Sequence, residues 1–97
     1  MTKADIINEV SKNTGFTKVE VENQLDSIIN TIKLSLSKGE RIDIRGFGSF
    51  LVKERPKRFA VNPSTKEKFV LNKRYDPVFK VSKLFKKYVN KSITRGF

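Results

Sequence analysis

Apolar side chains at Val21, Leu25, Ile28, Ile32 and Leu36 recur at intervals of four, three, four and four residues, with Ile29 widening the stripe. That spacing predicts a long amphipathic helix. Thr17-Lys18-Val19-Glu20 supplies a capping box at its start, and Gly39 a stop at its end. A shorter helix precedes it. Thr2-Lys3-Ala4-Asp5 forms the same kind of box, Ile6, Ile7 and Val10 make a small apolar face, and Gly15 closes the segment. The period then switches to two. Arg41-Ile42-Asp43-Ile44-Arg45 alternates as a half-buried strand does, and Phe50 and Val52 continue the alternation beyond Gly46-Phe47-Gly48. The paired glycines predict a tight turn that swings the Phe47 ring into the core. Near the end, Ser82 can cap a last helix with Leu84, Phe85, Tyr88 and Val89 inside and Lys83, Lys86, Lys87 and Lys91 outside. Residues 93–97 read as a frayed tail.

One stretch fits neither pattern. Residues 51–61 are strand-like but strongly basic, and too poor in apolar residues for a core strand. Asn62-Pro63-Ser64-Thr65 makes a turn, and residues 67–75 return with the same character. Two such strands form a ribbon standing off the body. Each of its strands is an edge, so Pro56 is tolerated there. Continuous pairing over residues 53–61 would give a reach of roughly 30 Å at ~3.3 Å per residue. The fold expected is α+β: a helix pair, a three-stranded antiparallel sheet with a protruding β-ribbon arm, and a short C-terminal helix. Residues 1–97 make one domain, with 1–52 mainly a dimerisation body, 53–75 the arm, and 76–97 the return strand, last helix and tail. With the arm set aside, roughly 70 residues remain for a core, a size that often needs a partner.

Charge sharpens this picture. Residues 1–52 carry seven Lys/Arg and seven Asp/Glu, whereas residues 53–97 carry fourteen against three, so the net +11 lies wholly in the second stretch. Phe, Val, Leu and Tyr interleave these cations, unlike a disordered basic tail. The arrangement points to a polyanion. Lys53, Arg55, Lys57, Arg58, Lys66, Lys68, Lys73 and Arg74 can follow the phosphates of a DNA groove and displace its counterions. Asn62-Pro63 at the tip offers a rigid apolar wedge for a base step. The second helix is a poor recognition helix, because Glu20, Glu22 and Asp26 crowd its start. Cysteine and histidine are absent. No metal site, cofactor or catalytic constellation is expected, and no nucleophile motif or Gly-rich phosphate loop occurs. No apolar run approaches a membrane span, and no membrane partner is expected.

At these residues the chain closely resembles the HU/IHF family of bacterial DNA-bending proteins. The match runs from Gly46-Phe47 through Phe50, Arg55, Arg58 and Ala60 to Asn62-Pro63 and Thr65, and continues to Phe79 and the basic last helix. The resemblance implies an intertwined dimer whose arms embrace double-stranded DNA in the minor groove, with low sequence specificity, bending it and compacting the chromosome. It implies Pro63 as the intercalating residue, with Lys53, Arg55, Arg58 and Asn62 on the arm. Lys80, Lys83, Lys86 and Lys3 would meet flanking phosphates. A homodimer is expected, a heterodimer is compatible, and the location implied is cytoplasmic and nucleoid-associated. Two positions depart from the family pattern. Val61 stands where an Arg usually precedes Asn-Pro, removing a minor-groove donor near the tip, and Lys66 stands where Gly usually follows Thr65. Three other readings predict different behaviour. A site-preferring integration-host-factor-like protein would select deformable sequences. A small RNA-binding protein would prefer RNA, and a β-augmentation module would show no steep salt dependence.

Overall fold

Eight elements follow the order expected from the sequence. The computed structural model describes residues 1–95, so Gly96 and Phe97 of the tail expected to fray lie outside the described residues. Helices α1 (Lys3–Thr14) and α2 (Lys18–Ser37) come first. Strands β1 (Ile42–Ile44), β2 (Gly48–Arg55), β3 (Arg58–Val61), β4 (Lys68–Leu71) and β5 (Arg74–Val81) follow, and α3 (Lys83–Arg95) ends the chain. The chain divides into two compact units, one ending at Ser35 and the other beginning at Leu36.

In the first unit the box expected at the start of α1 forms in full, and at the start of α2 the Thr17 half of the expected box forms. The Thr2 hydroxyl accepts the Asp5 amide, and the Asp5 carboxylate accepts the Thr2 amide at 2.8 Å. Gly15 takes φ 82°, and its amide donates to the Ser11 carbonyl at 3.0 Å. Thr17 Oγ1 receives the Glu20 amide at the head of α2. Among the described residues, Ile7 and Val21 are the only buried hydrophobic side chains. Ile28 and Leu34 of α2 remain 57% and 58% exposed. Apolar side chains this exposed on one helix suit a subunit interface.

In the second unit β1, β2 and β5 form an antiparallel sheet in the order β1-β2-β5. Directly opposed residues share a face. The register pairs Ile42 with Phe50, Phe50 with Phe79, Ile44 with Gly48 and Val52 with Pro77, so one face is apolar as far as Val52, with Glu54 opposite Tyr75 beyond it. The opposite face carries Asp43, Ser49 and Lys80 in one row.

The two glycines beside Phe47 do different things. Gly46, at φ 83°, completes a turn closed by the Phe47 amide on the Ile44 carbonyl at 3.0 Å. Gly48 allows close approach, since a Cβ there would stand 2.5 Å from the Lys80 carbonyl oxygen and 2.6 Å from the Phe79 ring. The Phe47 ring lies 5.0 Å from Phe79 and 5.2 Å from Phe85, with Phe50 and Phe79 at 4.8 Å. This cluster joins sheet to last helix. Phe47 is nonetheless 41% exposed, because the apolar face it belongs to is open in a single chain.

Ser82 caps α3 through its Oγ, which accepts the Phe85 amide at 3.1 Å. The helix then runs through residues 93–95, where fraying was expected. Val89 and Ile93 continue the Phe85 side of the helix at four-residue spacing, so its apolar pattern extends further than the Leu84-to-Val89 segment suggested.

Candidate nucleic-acid interface

The arm is built in two pieces. β2 and β5 pair as far as Arg55 opposite Arg74, and β3 and β4 pair from Arg58 opposite Leu71 to Val61 opposite Lys68. Between them the ladder lapses at Pro56-Lys57 on one side and Asn72-Lys73 on the other. The unbroken strand expected over residues 53–61 is therefore not formed. Pro56 explains the break: it has no N–H to donate, and its ring holds φ near −65°.

Below the break, like charges stand opposite each other at Arg55 and Arg74. Asp76 pairs with both: its Oδ2 accepts from Arg55 Nε at 3.2 Å and lies 3.4 Å from Arg74 Nε. Their repulsion would otherwise weaken the pairing. Arg55, Arg58, Arg74, Asn72 and Asp76 line a concavity of about 330 Å³ with Pro56 and Leu71. Three guanidiniums against one carboxylate suit an oxyanion. On the other face Lys73 contacts Glu54 at 2.9 Å and lies 5.5 Å from the Tyr75 ring centroid. The Glu54 hydrogen bond is the largest cause holding the Lys73 ammonium above its ordinary pKa, with Tyr75 adding to it.

At the tip the chain reverses through a closed loop. The Asn62 amide donates to the Glu67 carbonyl at 2.9 Å, and the Lys66 amide to the Asn62 carbonyl at 2.7 Å. Asn62 Oδ1 accepts the Ser64 amide at 2.9 Å, and Thr65 Oγ1 the Glu67 amide at 3.4 Å. Pro63 is thus held between residues bonded on both sides. Lys66 takes φ 57°, the one positive φ outside glycine among the described residues. The turn keeps its left-handed residue although no glycine is there.

The remaining predicted site residues lie on the body. Lys80 is on β5, and Lys83 and Lys86 are in the first turn of α3. Lys80 and Lys83 line a second concavity, of about 400 Å³, with Arg41, Arg45, Gly46 and Gly48. The sequence reading left Arg41 and Arg45 out of the site. The signal was present: in the alternation of residues 41–45 the two arginines fall on the side opposite Ile42 and Ile44. Arg41 Nε contacts Asp43 Oδ1 at 2.9 Å, and Ser49 Oγ donates to the same oxygen at 2.5 Å. Those bonds, Ser49 first and Arg41 second, hold the Asp43 carboxyl below the usual carboxylate range. Lys3 belongs to the first unit and contacts Asp26 at 2.6 Å. That hydrogen bond is the main cause raising its pKa.

Four predicted cations are thus ion-paired: Lys3, Arg55, Lys73 and Arg74. Among the described residues, Lys53, Lys57, Arg58, Lys66, Lys68, Lys80, Lys83 and Lys86 form no ion pair. No group of three or more acidic side chains, with cysteine and histidine absent, is placed to hold a metal among the described residues. Nor is any described helix long and apolar enough to cross a membrane.

Comparison with known proteins bears directly on this surface. The family model for bacterial DNA-binding proteins matches residues 1–90. The chain is 40% identical over 92 residues to integration host factor subunit alpha of Anaeromyxobacter sp. strain Fw109-5, spanning 95% of this chain and 93% of that protein. It is 42% identical over 89 residues to the DNA-binding protein HU of Thermotoga maritima, spanning 92% and 99% respectively. Among solved structures, an Anabaena HU–DNA cocrystal structure matches with a TM-score of 0.86 at 32% identity, covering 92% of this chain and 97% of that one.

Proposed function

The chain belongs to the bacterial DNA-binding protein family, and from that premise we propose that it is an architectural protein that binds duplex DNA through the minor groove and bends it. It helps compact the chromosome, acts without enzymatic chemistry, and works in the bacterial cytoplasm in association with the nucleoid. The active form is an intertwined dimer. The open apolar face of the sheet and the exposed Ile28 and Leu34 of α2 support a partner subunit, because a single chain buries so little of its apolar surface. The near-equal identities to an HU and to an integration host factor subunit fit either one kind of chain or two.

The observation that carries the reading is the ribbon β3–β4, with Pro63 at its locked tip and the unpaired cations Lys57, Arg58, Lys66 and Lys68 around it. In this reading Pro63 enters a base step, and Asn62 holds the turn beside the groove. Val61 lies against the groove, and the arm cations meet phosphates on its rims. Arg55, Lys73 and Arg74 contribute at the arm's base. Lys80, Lys83 and Lys86, joined by Lys3, hold the flanking DNA. Unstacking one step costs a few kcal/mol, offset by the basic surface that bent DNA can reach.

Energy transfer across a short end-labelled duplex, with affinity measured in parallel, tests this assignment. Pro63→Ala is expected to reduce bending more than low-salt affinity. Arg58→Ala is expected to do the reverse, since it removes an unpaired charge and leaves the wedge. Bending unchanged by Pro63→Ala would remove the proline from the base stack.

A further inference from the structure

The break in the arm leaves a hollow as well as a gap. Where the β2–β5 ladder has ended and β3–β4 has not begun, Arg55, Arg58 and Arg74 line the concavity of about 330 Å³. Pro56 and Leu71 give it apolar wall, and Asn72 a neutral amide. Its volume lies at the lower end of small-molecule sites, roughly 300–1,000 Å³. Two of the guanidiniums are arranged in advance. Arg55 and Arg74 stand directly opposite each other, and one oxygen, Asp76 Oδ2, lies against both. Arg55 bonds that oxygen through Nε, which leaves its terminal amino groups to a ligand. Arg58 forms no ion pair. Three guanidiniums against one carboxylate leave two positive charges in one hollow.

That charge, on forked donors, suits a phosphate in its doubly ionised form. A guanidinium meets an oxyanion through two parallel N–H···O bonds. A phosphodiester, linked on both sides, carries a single negative charge. A phosphomonoester carries about two near pH 7, because its second pKa is about 6. The hollow therefore matches a monoester better than it matches any one phosphate of a DNA backbone. Pro56 and Leu71 suit the carbon skeleton on the ester oxygen. We propose that the hollow at the break in the arm is a binding site for a small soluble phosphomonoester, of the class of mononucleotides and sugar phosphates. The geometry of the hollow carries this site without the DNA reading. It meets that reading at Arg55, Arg58 and Arg74, which serve backbone phosphates there, so an ester bound in the hollow keeps DNA from the base of the arm.

The test titrates the full chain with adenosine monophosphate, inorganic phosphate and dimethyl phosphate at fixed ionic strength, following the amide shifts of Leu71, Asn72 and Arg74. Adenosine monophosphate is expected to saturate these shifts in the roughly millimolar range, and about tenfold or more tighter than the singly charged dimethyl phosphate. Arg58→Gln is expected to weaken it by about fivefold or more, a charge-assisted bond discounted for exposure. Arg58→Lys, which keeps the charge and loses the fork, is expected to weaken it by about threefold. Lys33→Gln/Lys38→Gln removes more charge away from the hollow and is expected to leave it unchanged. Shifts that never saturate, or that the α2 double variant weakens as much as Arg58→Gln does, would overturn the site. Inorganic phosphate binding as tightly as the nucleotide would overturn the organic ester. A 5′-phosphorylated duplex end that takes the hollow ahead of the free nucleotide would overturn the soluble source. DNA affinity is measured in the same series, and saturating nucleotide is expected to lower it severalfold in the parent and less in Arg58→Gln. Arg58-dependent nucleotide binding that leaves DNA affinity untouched supports the site, and sinks instead the placement of DNA at the base of the arm.

Discussion

Lys66 holds a backbone conformation that a side chain disfavours, at φ 57° in a loop otherwise closed by Asn62. The left-handed region costs a residue with a Cβ roughly 1–2 kcal/mol. Lys66→Gly should therefore tighten the tip, and exchange of the Lys66 and Asn62 amides should slow by about fivefold, the equivalent of ~1 kcal/mol. Native-state hydrogen exchange reads this directly, and equal rates would mean the loop tolerates the lysine without strain. The sequence exposed this position as a departure from the related family but not its outcome. A missing glycine suggested altered geometry, whereas the bonds from Asn62 and Thr65 keep the turn. A second effect at this scale concerns Asp5. The Thr2 amide, and then the Thr2 hydroxyl, hold its carboxyl below the usual carboxylate range. A carboxyl lowered on folding contributes stability that is complete above its unfolded pKa and lost as pH falls through its folded value. The start of α1 should accordingly fray in acid, below about pH 4. The Asp5 amide shift would follow that titration, and Asp5→Asn would abolish it.

Caps and periodicity made the helices legible, because the side chains that decide them are neighbours in sequence. Thr2, Gly15, Thr17 and Ser82 each do locally what their chemistry suggested. The arm was legible in outline from its charge and its Asn-Pro turn. Its interruption was harder to see, since Pro56 alone reads as a tolerated edge residue. The ladder lapses because Pro56 has no N–H to donate, and the sequence does not show it because the residues across the gap, Asn72 and Lys73, are not its neighbours along the chain. The cations beside Lys80 were missed for the same reason: only the register brings β1 and β5 to either side of β2. Gly48 is the sharpest test at this scale. A methyl group there meets the Lys80 backbone at 2.5 Å as well as the Phe79 ring, and a backbone oxygen in a ladder cannot swing aside. Gly48→Ala should cost about 1–3 kcal/mol, the range for overpacking. Urea unfolding should show a lower midpoint at unchanged slope, and an unaltered midpoint would mean the sheet can open there.

For the whole molecule, two buried hydrophobic side chains among the described residues are too few to hold a domain of this length together. Sedimentation at micromolar concentration should find a dimer, and a folded monomer would contradict the reading. Association with DNA should weaken steeply with salt. With on the order of 6–10 phosphate contacts, log K should fall against log[salt] with a slope of about −5 to −9. Lys83→Ala/Lys86→Ala should flatten that slope, and a slope left intact would place these lysines off the phosphates. The paired break in the arm has a consequence of another kind. Lys57 and Lys73 both sit where the ladder is open, and the chain can present an extended, unpaired backbone there. A trypsin-like protease, which cuts after such lysines, should open the free protein first at these two bonds, while Arg55, followed by proline, resists it. Residues 58–73 would leave as one piece from a body still folded, and DNA in the grip of the arm should delay both cuts together.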